Sequence, residues 1–143
     1  MVTSPELVIR TDPTPTEIDF LEERLYEFNA RTTGIDDALG LAIFGRDERD
    51  EVIAGLCGYT WAGCCEIRQV WVHETMRGQG IGRRLLDLAE KEARRRKCFQ
   101  IILATYSFQA PAFYLKLGFD VVASIPGPRG YQHLHLRKLL GET

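Results

Sequence analysis

A glycine-rich segment between a strand and a helix is the feature that most narrows the folds open to this chain. The segment is RGQGIG at residues 77–82. It follows the apolar run IRQVWV and precedes leucines and alanines at helical spacing as far as residue 93. Glycines let the backbone turn tightly and approach a ligand, and the first amides of a helix have no intrahelical acceptor. We therefore predict an anion site, suited to a phosphate or pyrophosphate, at the start of this helix.

Two familiar phosphate-binding loops do not fit the spacing of these glycines. A Walker A loop needs Gly-Lys followed by Ser or Thr, and none of the glycines in the chain is followed in that way. The dinucleotide fingerprint needs G-x-G-x-x-G, whereas Gly78, Gly80 and Gly82 step by two residues. A turn that merely starts a helix close to a sheet remains an alternative. Arg77 and Arg83 flank the loop and would add charge-assisted contacts, which favours the binding site.

The N-terminal part of the chain predicts a helix. Thr14-Pro15-Thr16-Glu17 has the form of a capping box with proline at the first helical position. The helical pattern ends near Gly34, where a glycine is expected after the last turn. The apolar residues at helical spacing, which we expect to form the buried stripe of this helix, are Ile18, Leu21, Leu25 and Phe28.

The rest of the chain predicts a mixed α/β fold. Apolar runs at residues 39–46 and 52–63, joined by the charged turn DERDE, predict an antiparallel hairpin. Further strands are expected in CCEIRQVWVHE, FQIILATYS, FDVVASI and YQHLHLRKLL, with a short helix around Pro111 that Ser107 could cap and Gly118 could end. We predict one domain over residues 1–143, with a mostly antiparallel sheet of about six or seven strands flanked by about four helices.

Composition excludes several classes of protein. Apolar residues make up 45% and charged residues 27% of the chain, and no apolar run approaches the ~20 residues of a membrane span. The N-terminus lacks the features of a signal peptide, so we expect a cytoplasmic protein with reduced cysteines. Its four cysteines form no C-x-x-C pair, and no metal is expected.

Positive charge is local in a chain whose formal net charge is −2. The run RRRK at residues 94–97 is predicted to fill the last turn of the helix after the glycine segment, where cations complement the helix dipole. A patch for nucleic acid is the alternative for this run.

Two motifs resemble one known family. RGQGIG resembles the R/Q-x-x-G-x-G/A signature of the GCN5-related N-acetyltransferases (GNAT), through Arg77, Gly80 and Gly82. The segment AFYLKLGF at residues 112–119 is similar to a late helix motif of the same family. The resemblance implies the GNAT fold, in which two central strands splay apart in a V, and acetyl-CoA as the donor of an acetyl group to an amine.

The resemblance also implies where the donor binds. Its pyrophosphate would lie on the loop amides, and its pantetheine arm between the strand ending at Val72 and the strand QIILATY. Many members carry Asn seven residues before the motif tyrosine, where this chain has Ser107; Ser107 or Gln109 could make that polar contact. The other implied coenzyme contacts are Val70, Trp71, Val72, Arg77, Gly78, Gln79, Gly80, Ile81, Gly82 and Arg83.

Tyr114 and Glu66 are the candidate catalytic residues. Tyr114 matches the tyrosine that protonates or orients the departing sulfur in many members, and the amide at about Val72 would bind the oxyanion. Glu66 lies where some members carry a base, and simple strand alternation places it on one face with Arg68, Val70 and Val72. Arg68 cannot act as a base because its guanidinium stays protonated. A water chain, or an amine that arrives neutral, would need no dedicated base.

The sequence does not identify the acceptor. Aromatic side chains could cradle an amine, and acidic residues of the first helix could attract a cation. A coenzyme A-binding regulatory module without transfer, and acylation of a nucleic-acid-bound amine, are the alternatives to an N-acetyltransferase; a homodimer is possible in each case. The side chains available are Tyr59, Trp61, Tyr106, Phe108 and Tyr131, with Glu22, Glu23 and Glu27 on the helix.

Overall fold

The computed structural model describes residues 3–141 and divides the chain into two compact units, one ending at Asp36 and one starting at Asp37. The N-terminal unit contains helix α1 (Pro15–Thr33). Thr14 caps α1 as predicted, because its hydroxyl accepts from the Glu17 amide at 3.2 Å while the Glu17 carboxylate accepts from the Thr14 amide at 3.2 Å. Gly34 ends the helix in the left-handed conformation, with φ of 76°.

The predicted burial of the apolar stripe of α1 is wrong. The helix contains no buried residue. Helical spacing shows which side chains share a face of a helix, but it does not show what covers that face. The exposed side chains of the stripe are Ile18, Leu21, Leu25 and Phe28.

The second unit is a six-stranded sheet with two helices. The strands lie in the order β1-β2-β3-β4-β6-β5, and β3 and β4 are the only parallel neighbours in it. The predicted hairpin and all later strands are confirmed, and residues 3–141 contain three α-helices rather than four. The elements are β1 (Leu39–Arg46), β2 (Val52–Trp61), β3 (Cys64–Val72), α2 (Ile81–Arg95), β4 (Gln100–Tyr106), α3 (Pro111–Lys116), β5 (Asp120–Pro126) and β6 (Gln132–Leu139).

The hydrophobic core of this unit lies between α2 and one face of the sheet, which we call the core face. Leu85, Leu86 and Ala89 of α2 are buried there. Alternation along the strands sends every second side chain to the opposite face, which we call the outer face and which carries Tyr59, Glu66 and Tyr106. The main contributions of the sheet to the core are Leu41, Ala54, Leu56, Cys65, Ile67, Ile101, Leu103 and Leu136.

A bulge in β3 overturns the predicted alternation of that strand. Gly58 of β2 pairs with Ile67 while Cys57 pairs with Gln69, so Arg68 is the extra residue. An extra residue reverses the phase of the side chains that follow it. Val70 and Val72 therefore pack on the core with Ile67. The prediction that they share a face with Glu66 is wrong.

The two central strands splay apart, as the resemblance implied. Pairing of β3 with β4 runs only from Cys64 and Gln100 to Ile67 and Leu103. Both strands continue beyond that point, β3 to Val72 and β4 to Tyr106. A V-shaped opening therefore begins just after the Ile67–Leu103 pair.

The basic run is only partly in the last turn of α2, where it was predicted. Arg95 is the last helical residue, Arg96 is the C-cap and Lys97 has a left-handed φ of 62°. Arg94 binds Glu90 and the Leu140 carbonyl, while Arg95 and Arg96 bind Glu92. Three of the four cations thus pair with carboxylates of α2, and Arg94 also donates a hydrogen bond to a backbone carbonyl.

Candidate active site

The loop between β3 and α2 presents its backbone to open space. Gly78 and Gly80 adopt left-handed φ values of 79° and 78°, a region that favours glycine because it lacks a Cβ. A Cβ built at either position meets no atom within 4 Å. Gly80 is the N-cap of α2 and has no side chain to bond the first helical amides. The donor set at this helix start fits a pyrophosphate, since free amides and the helix dipole both favour an anion.

Arg77 holds the start of this loop against the end of β3. Its Nε donates to the Val72 carbonyl at 3.1 Å, which ties the end of β3 to the start of the loop. The remaining guanidinium nitrogens leave donors that an anion could use. Arg83 is largely exposed and lies 4.0 Å from Asp87 on the next turn of α2.

Gly82 connects the loop to α3. A Cβ at Gly82 would lie 3.2 Å from the Phe113 ring, which is tighter than ordinary van der Waals contact. Phe113 in turn meets Tyr114 edge to face, with ring centroids 5.1 Å apart. A small residue at position 82 therefore lets α2 and α3 approach, and this approach holds Tyr114 near the loop. The sequence indicates Phe113 only as part of the apolar face of α3, and its contact with Gly82 was not predicted.

Tyr114 is a largely buried phenol. It packs on the core and contacts the Phe119 ring at a centroid distance of 5.8 Å. Burial raises its pKa, because the ionised phenolate would lose hydration. A phenol is protonated at neutral pH even without this shift, so the hydroxyl is available as a hydrogen-bond donor.

Ser107 does not cap α3 as predicted. The N-cap of α3 is Ala110, in a left-handed conformation and without a side-chain cap. Ser107 instead closes a pair with Gln132 of β6: its amide donates to the Gln132 carbonyl at 2.8 Å, and its hydroxyl oxygen accepts from the Gln132 amide at 2.9 Å. The Gln109 side chain accepts from the Tyr106 amide at 2.8 Å, so both polar residues shape the turn after β4.

Glu66 belongs to a three-residue cluster on the outer face. It lies opposite Tyr59 in the β2–β3 ladder, and the Arg68 guanidinium lies 3.7 Å from its carboxylate. The Arg68 guanidinium also sits 4.9 Å from the centre of the Tyr59 ring. The hydrogen bond to Glu66, followed by burial and the carboxylate charge, raises the pKa of Tyr59. The Glu66 carboxylate therefore already has two polar partners.

Three of the five predicted acceptor aromatics form one cluster near the end of β4. Phe108 stacks on Tyr106 with centroids 5.3 Å apart and meets Tyr131 edge to face at 5.0 Å. Tyr106 also stacks on His133 at 4.7 Å. Sequence reasoning missed the two histidines of β6, His133 and His135, although their alternation in QHLHL predicts a shared face.

Trp61 is not brought to this cluster. It pairs with Cys64 at the end of β3 remote from the splay, where it lines a cavity of 170 Å³ together with Asp37 and Arg96. Arg96 donates there to the Thr60 hydroxyl at 3.1 Å and to the Leu39 carbonyl at 3.2 Å. The polar groups of this cavity thus serve the fold.

The acidic residues of α1 belong to the N-terminal unit. Arg24 pairs with Glu27 at 2.7 Å and lies 3.7 Å from Glu23, so both carboxylates are part of a solvated helix face. Residues 3–141 hold no group of three His, Cys, Asp or Glu that could bind a metal ion. Within the same range, the helices are too short or too polar to cross a membrane.

Comparison with solved structures defines the class of fold. A crystal structure from Agrobacterium tumefaciens that carries an acetyltransferase assignment has a TM-score of 0.84 at 30% identity, covering 95% of this chain and 100% of that one. A Bacillus anthracis structure assigned as a streptothricin acetyltransferase, solved in complex with acetyl coenzyme A, has a TM-score of 0.63 at 18% identity and covers 71% of this chain and 63% of that one. The splayed sheet with its glycine loop is thus an acetyltransferase fold.

Comparison of sequences gives the family. The model of the acetyltransferase (GNAT) family matches residues 7–119. A blasticidin-S acetyltransferase of Streptomyces morookaense is 35% identical over 115 residues, which cover 76% of this chain and 85% of that protein. The chain belongs to the GNAT acetyltransferase family, as its two motifs predicted.

Proposed function

We propose that the protein transfers the acetyl group of acetyl-CoA to a primary amine while both substrates are bound. The observation that carries this proposal is the glycine loop at the start of α2, whose open backbone and uncapped helical amides lie beside the splayed strands. Acetyl-CoA supplies an activated thioester when it is bound. The loop from Arg77 to Arg83 would hold its pyrophosphate, and the opening between β3 and β4 would take its amide-bearing arm.

Tyr114 would act on the departing sulfur. An ordinary phenol is protonated at neutral pH and is a weaker acid than a thiol, and burial of Tyr114 increases that difference because it raises the pKa of the phenol. With ordinary values near 10 for a phenol and 8.5 for a thiol, complete proton transfer to a thiolate is uphill by about 2 kcal/mol. The buried hydroxyl is therefore better suited to donating a hydrogen bond to the sulfur than to full protonation before the bond breaks.

Glu66 as the base stays a prediction, and its surroundings favour a second role. An ionised carboxylate held by Tyr59 and Arg68 on the outer face can bind the ammonium group of an acceptor. The elements that would hold the donor, α2 and α3, pack on the core face. An acceptor would accordingly approach the thioester from the outer face.

A screen of acceptors with acetyl-CoA, with release of free coenzyme A measured, tests the proposed function. The panel contains small alkylamines, aminated antibiotics including blasticidin S, amino acids, peptide N-termini and lysine peptides. Thermal unfolding with coenzyme A alone gives the independent measurement of donor binding. No rise in unfolding temperature at millimolar coenzyme A would contradict the proposal.

Replacement of Tyr114 separates an enzyme from a coenzyme A-binding module that has lost transfer. Tyr114→Phe should lower kcat by about 10- to 100-fold while coenzyme A still raises the unfolding temperature, because only the hydroxyl is removed. Tyr26→Phe, in the N-terminal unit, is the matched control. Unchanged kcat in Tyr114→Phe would remove the tyrosine from the mechanism, and a wild-type protein that binds coenzyme A without transfer to any acceptor would support the module.

Acylation of a nucleic-acid-bound amine has little support from the basic run. Arg94, Arg95 and Arg96 are bonded within the fold. This alternative predicts affinity for RNA or DNA that falls steeply with salt. A binding titration at two salt concentrations distinguishes it from the amine acceptors above.

A further inference from the structure

The two histidines of β6 stand on the outer face beside the opening between β3 and β4. His135 lies opposite Ala104 of β4, and His133 lies opposite Tyr106. Ala104 is the first residue of β4 beyond the last β3–β4 pair, which ends at Leu103. Because neighbouring strands are ~4.8 Å apart, a side chain of β6 above Ala104 is one strand away from the opening.

His135 is half-buried, and its cross-strand neighbours are small. Its cross-strand neighbours are Ala104 on β4 and Ala123 on β5, and both carry only a methyl group. His133 has Tyr106 and Ile125 in the same positions, and Tyr106 stacks on its ring at 4.7 Å. The His133 ring is thereby held by packing, whereas His135 has only the methyl group of Ala104 between its position on β6 and the opening beyond β4.

The two imidazoles of β6 are in contact. Their ring centroids are 4.9 Å apart and their planes are inclined by 66°, so His135 meets its neighbour edge to face. In the described part of the chain no side chain forms a hydrogen bond to the ring nitrogens of His135. An imidazole with free nitrogens, beside the opening and on the side from which an acceptor would approach, has the position of a proton acceptor.

We propose that His135 is the base that takes the proton from the acceptor amine, and this inference rests on the proposed function. Attack of the amine forms a C–N bond and breaks the C–S bond of the thioester. The ammonium first gives one proton to the His135 imidazole, directly or through one water, and the imidazole passes it to solvent. The neutral amine then attacks, and the second N–H proton, lost as the amide forms, goes to water while the sulfur leaves as the thiolate next to the Tyr114 hydroxyl. Glu66 holds the incoming ammonium, and the His135 imidazole removes its proton.

Several charged and titratable groups face His135 and belong in any account of its pH dependence. His133 and Arg137 share its face of β6, and Tyr106 lies on β4. Asp120 of β5 is paired with Arg137 in the ladder. On β3, Glu66 lies opposite Ile102 in the last paired stretch before the opening, and Arg68 is the bulge residue where the opening begins. The positive charges of the two arginines are each accompanied by an acidic residue on the same face.

The test compares His135→Gln with His133→Gln, a matched variant on the same face of the same strand. The rate is measured as kcat/KM from pH 6 to pH 10 with acetyl-CoA and the best primary alkylamine of the screen. His135→Gln should lower kcat/KM at pH 7 by about 100-fold, and the loss should shrink as rising pH deprotonates the free amine. With hydroxylamine, which is neutral at pH 7, the loss should be much smaller.

Two further measurements separate the possible failures. Coenzyme A should raise the unfolding temperature of His135→Gln as it does that of the wild type, which shows an intact donor site. His135→Ala, which leaves space between two alanines, should regain activity when imidazole is added, and a purely structural role would give no such rescue.

A wild-type protein without donor binding or transfer would refute the proposed function itself. A wild-type enzyme whose His135→Gln variant keeps the same kcat/KM profile would overturn the assignment of the base alone. The same conclusion follows if His133→Gln shows the pH-dependent loss instead.

Discussion

Single residues decide which side chains of the site lie on the same face of the sheet, and Gly58 is the clearest case. It pairs with β3 at the bulge, and a Cβ at this position would lie only 2.0 Å from the Glu66 carbonyl oxygen. The bulge places Arg68 as an extra residue and returns Val70 and Val72 to the core face. A glycine of β2 therefore determines which side chains of β3 face an acceptor.

Gly58→Ala should destabilise the protein, because backbone atoms would have to move to make room for the methyl group. We expect a loss of about 3 kcal/mol in the free energy of unfolding. Gly40→Ala in β1 is the matched control, since a Cβ there meets nothing within 4 Å; its effect should stay within ~0.5 kcal/mol. Chemical denaturation measures both, and equal effects of the two variants would contradict the close approach at the bulge.

Among the elements, α2 joins the donor site at its N-terminus to an ion-pair cluster at its C-terminus. Hydrogen bonds from Arg95 and Arg96 lower the pKa of Glu92 to about 2. Two residues earlier, burial alone would raise the pKa of Glu90, but the hydrogen bonds and charges of Lys138 and Arg94 outweigh it and lower the pKa. The last turn of α2 is thus built on carboxylates that must stay ionised.

Acid should weaken the end of α2 in a predictable direction. A carboxylate with a lowered pKa in the folded state adds stability above its ordinary value of 4.5, and this stability is lost as pH falls towards 2. Glu92→Gln should therefore lower the unfolding temperature at pH 7, with a difference from the wild type that shrinks below about pH 4.5.

Thermal unfolding followed between pH 7 and pH 2.5 measures that difference. Glu48→Gln, in the turn between β1 and β2, removes one carboxylate elsewhere and provides the control. A Glu92→Gln difference that stays constant over the whole pH range would show that Glu92 does not titrate with a lowered pKa.

At the scale of the whole molecule, the stabilising core lies in the second unit. Every residue of the hydrophobic cluster lies between Leu41 and Leu140, and α1 contributes none. Leu56 of β2 is 2% exposed, whereas Leu21 of α1 is 64% exposed. The free energy of unfolding should therefore depend mainly on residues after Asp37.

Two leucine-to-alanine substitutions check this distribution of stability. Leu56→Ala should cost about 3 kcal/mol, because it removes buried methyl groups and leaves a cavity. Leu21→Ala should change the free energy of unfolding by no more than ~0.5 kcal/mol. Denaturant titration of both variants gives the comparison, and a large loss in Leu21→Ala would show that its face is covered in solution.

Local patterns in the sequence determined the elements and the family. Several features depend only on residues a few positions apart and can therefore be predicted from the sequence. They are the capping box, the glycine after α1, the hairpin and the glycine loop. The same holds for RGQGIG and AFYLKLGF, whose order and spacing identified the acetyltransferase family. Tyr114 was found in this way, although its burial and the resulting rise in pKa were not.

Only the tertiary structure decided how residues from different strands share a face. Simple alternation predicted Glu66 and Val70 on the same face of the sheet. The extra residue at Arg68 places them on opposite faces. The capping role expected of Ser107 gave way to a pair with Gln132, twenty-five residues away along the chain. His135 acquired its position only from Ala104 and Ala123 on neighbouring strands. Such relations depend on strand register, and register is set by packing and hydrogen bonds between segments that are distant in sequence.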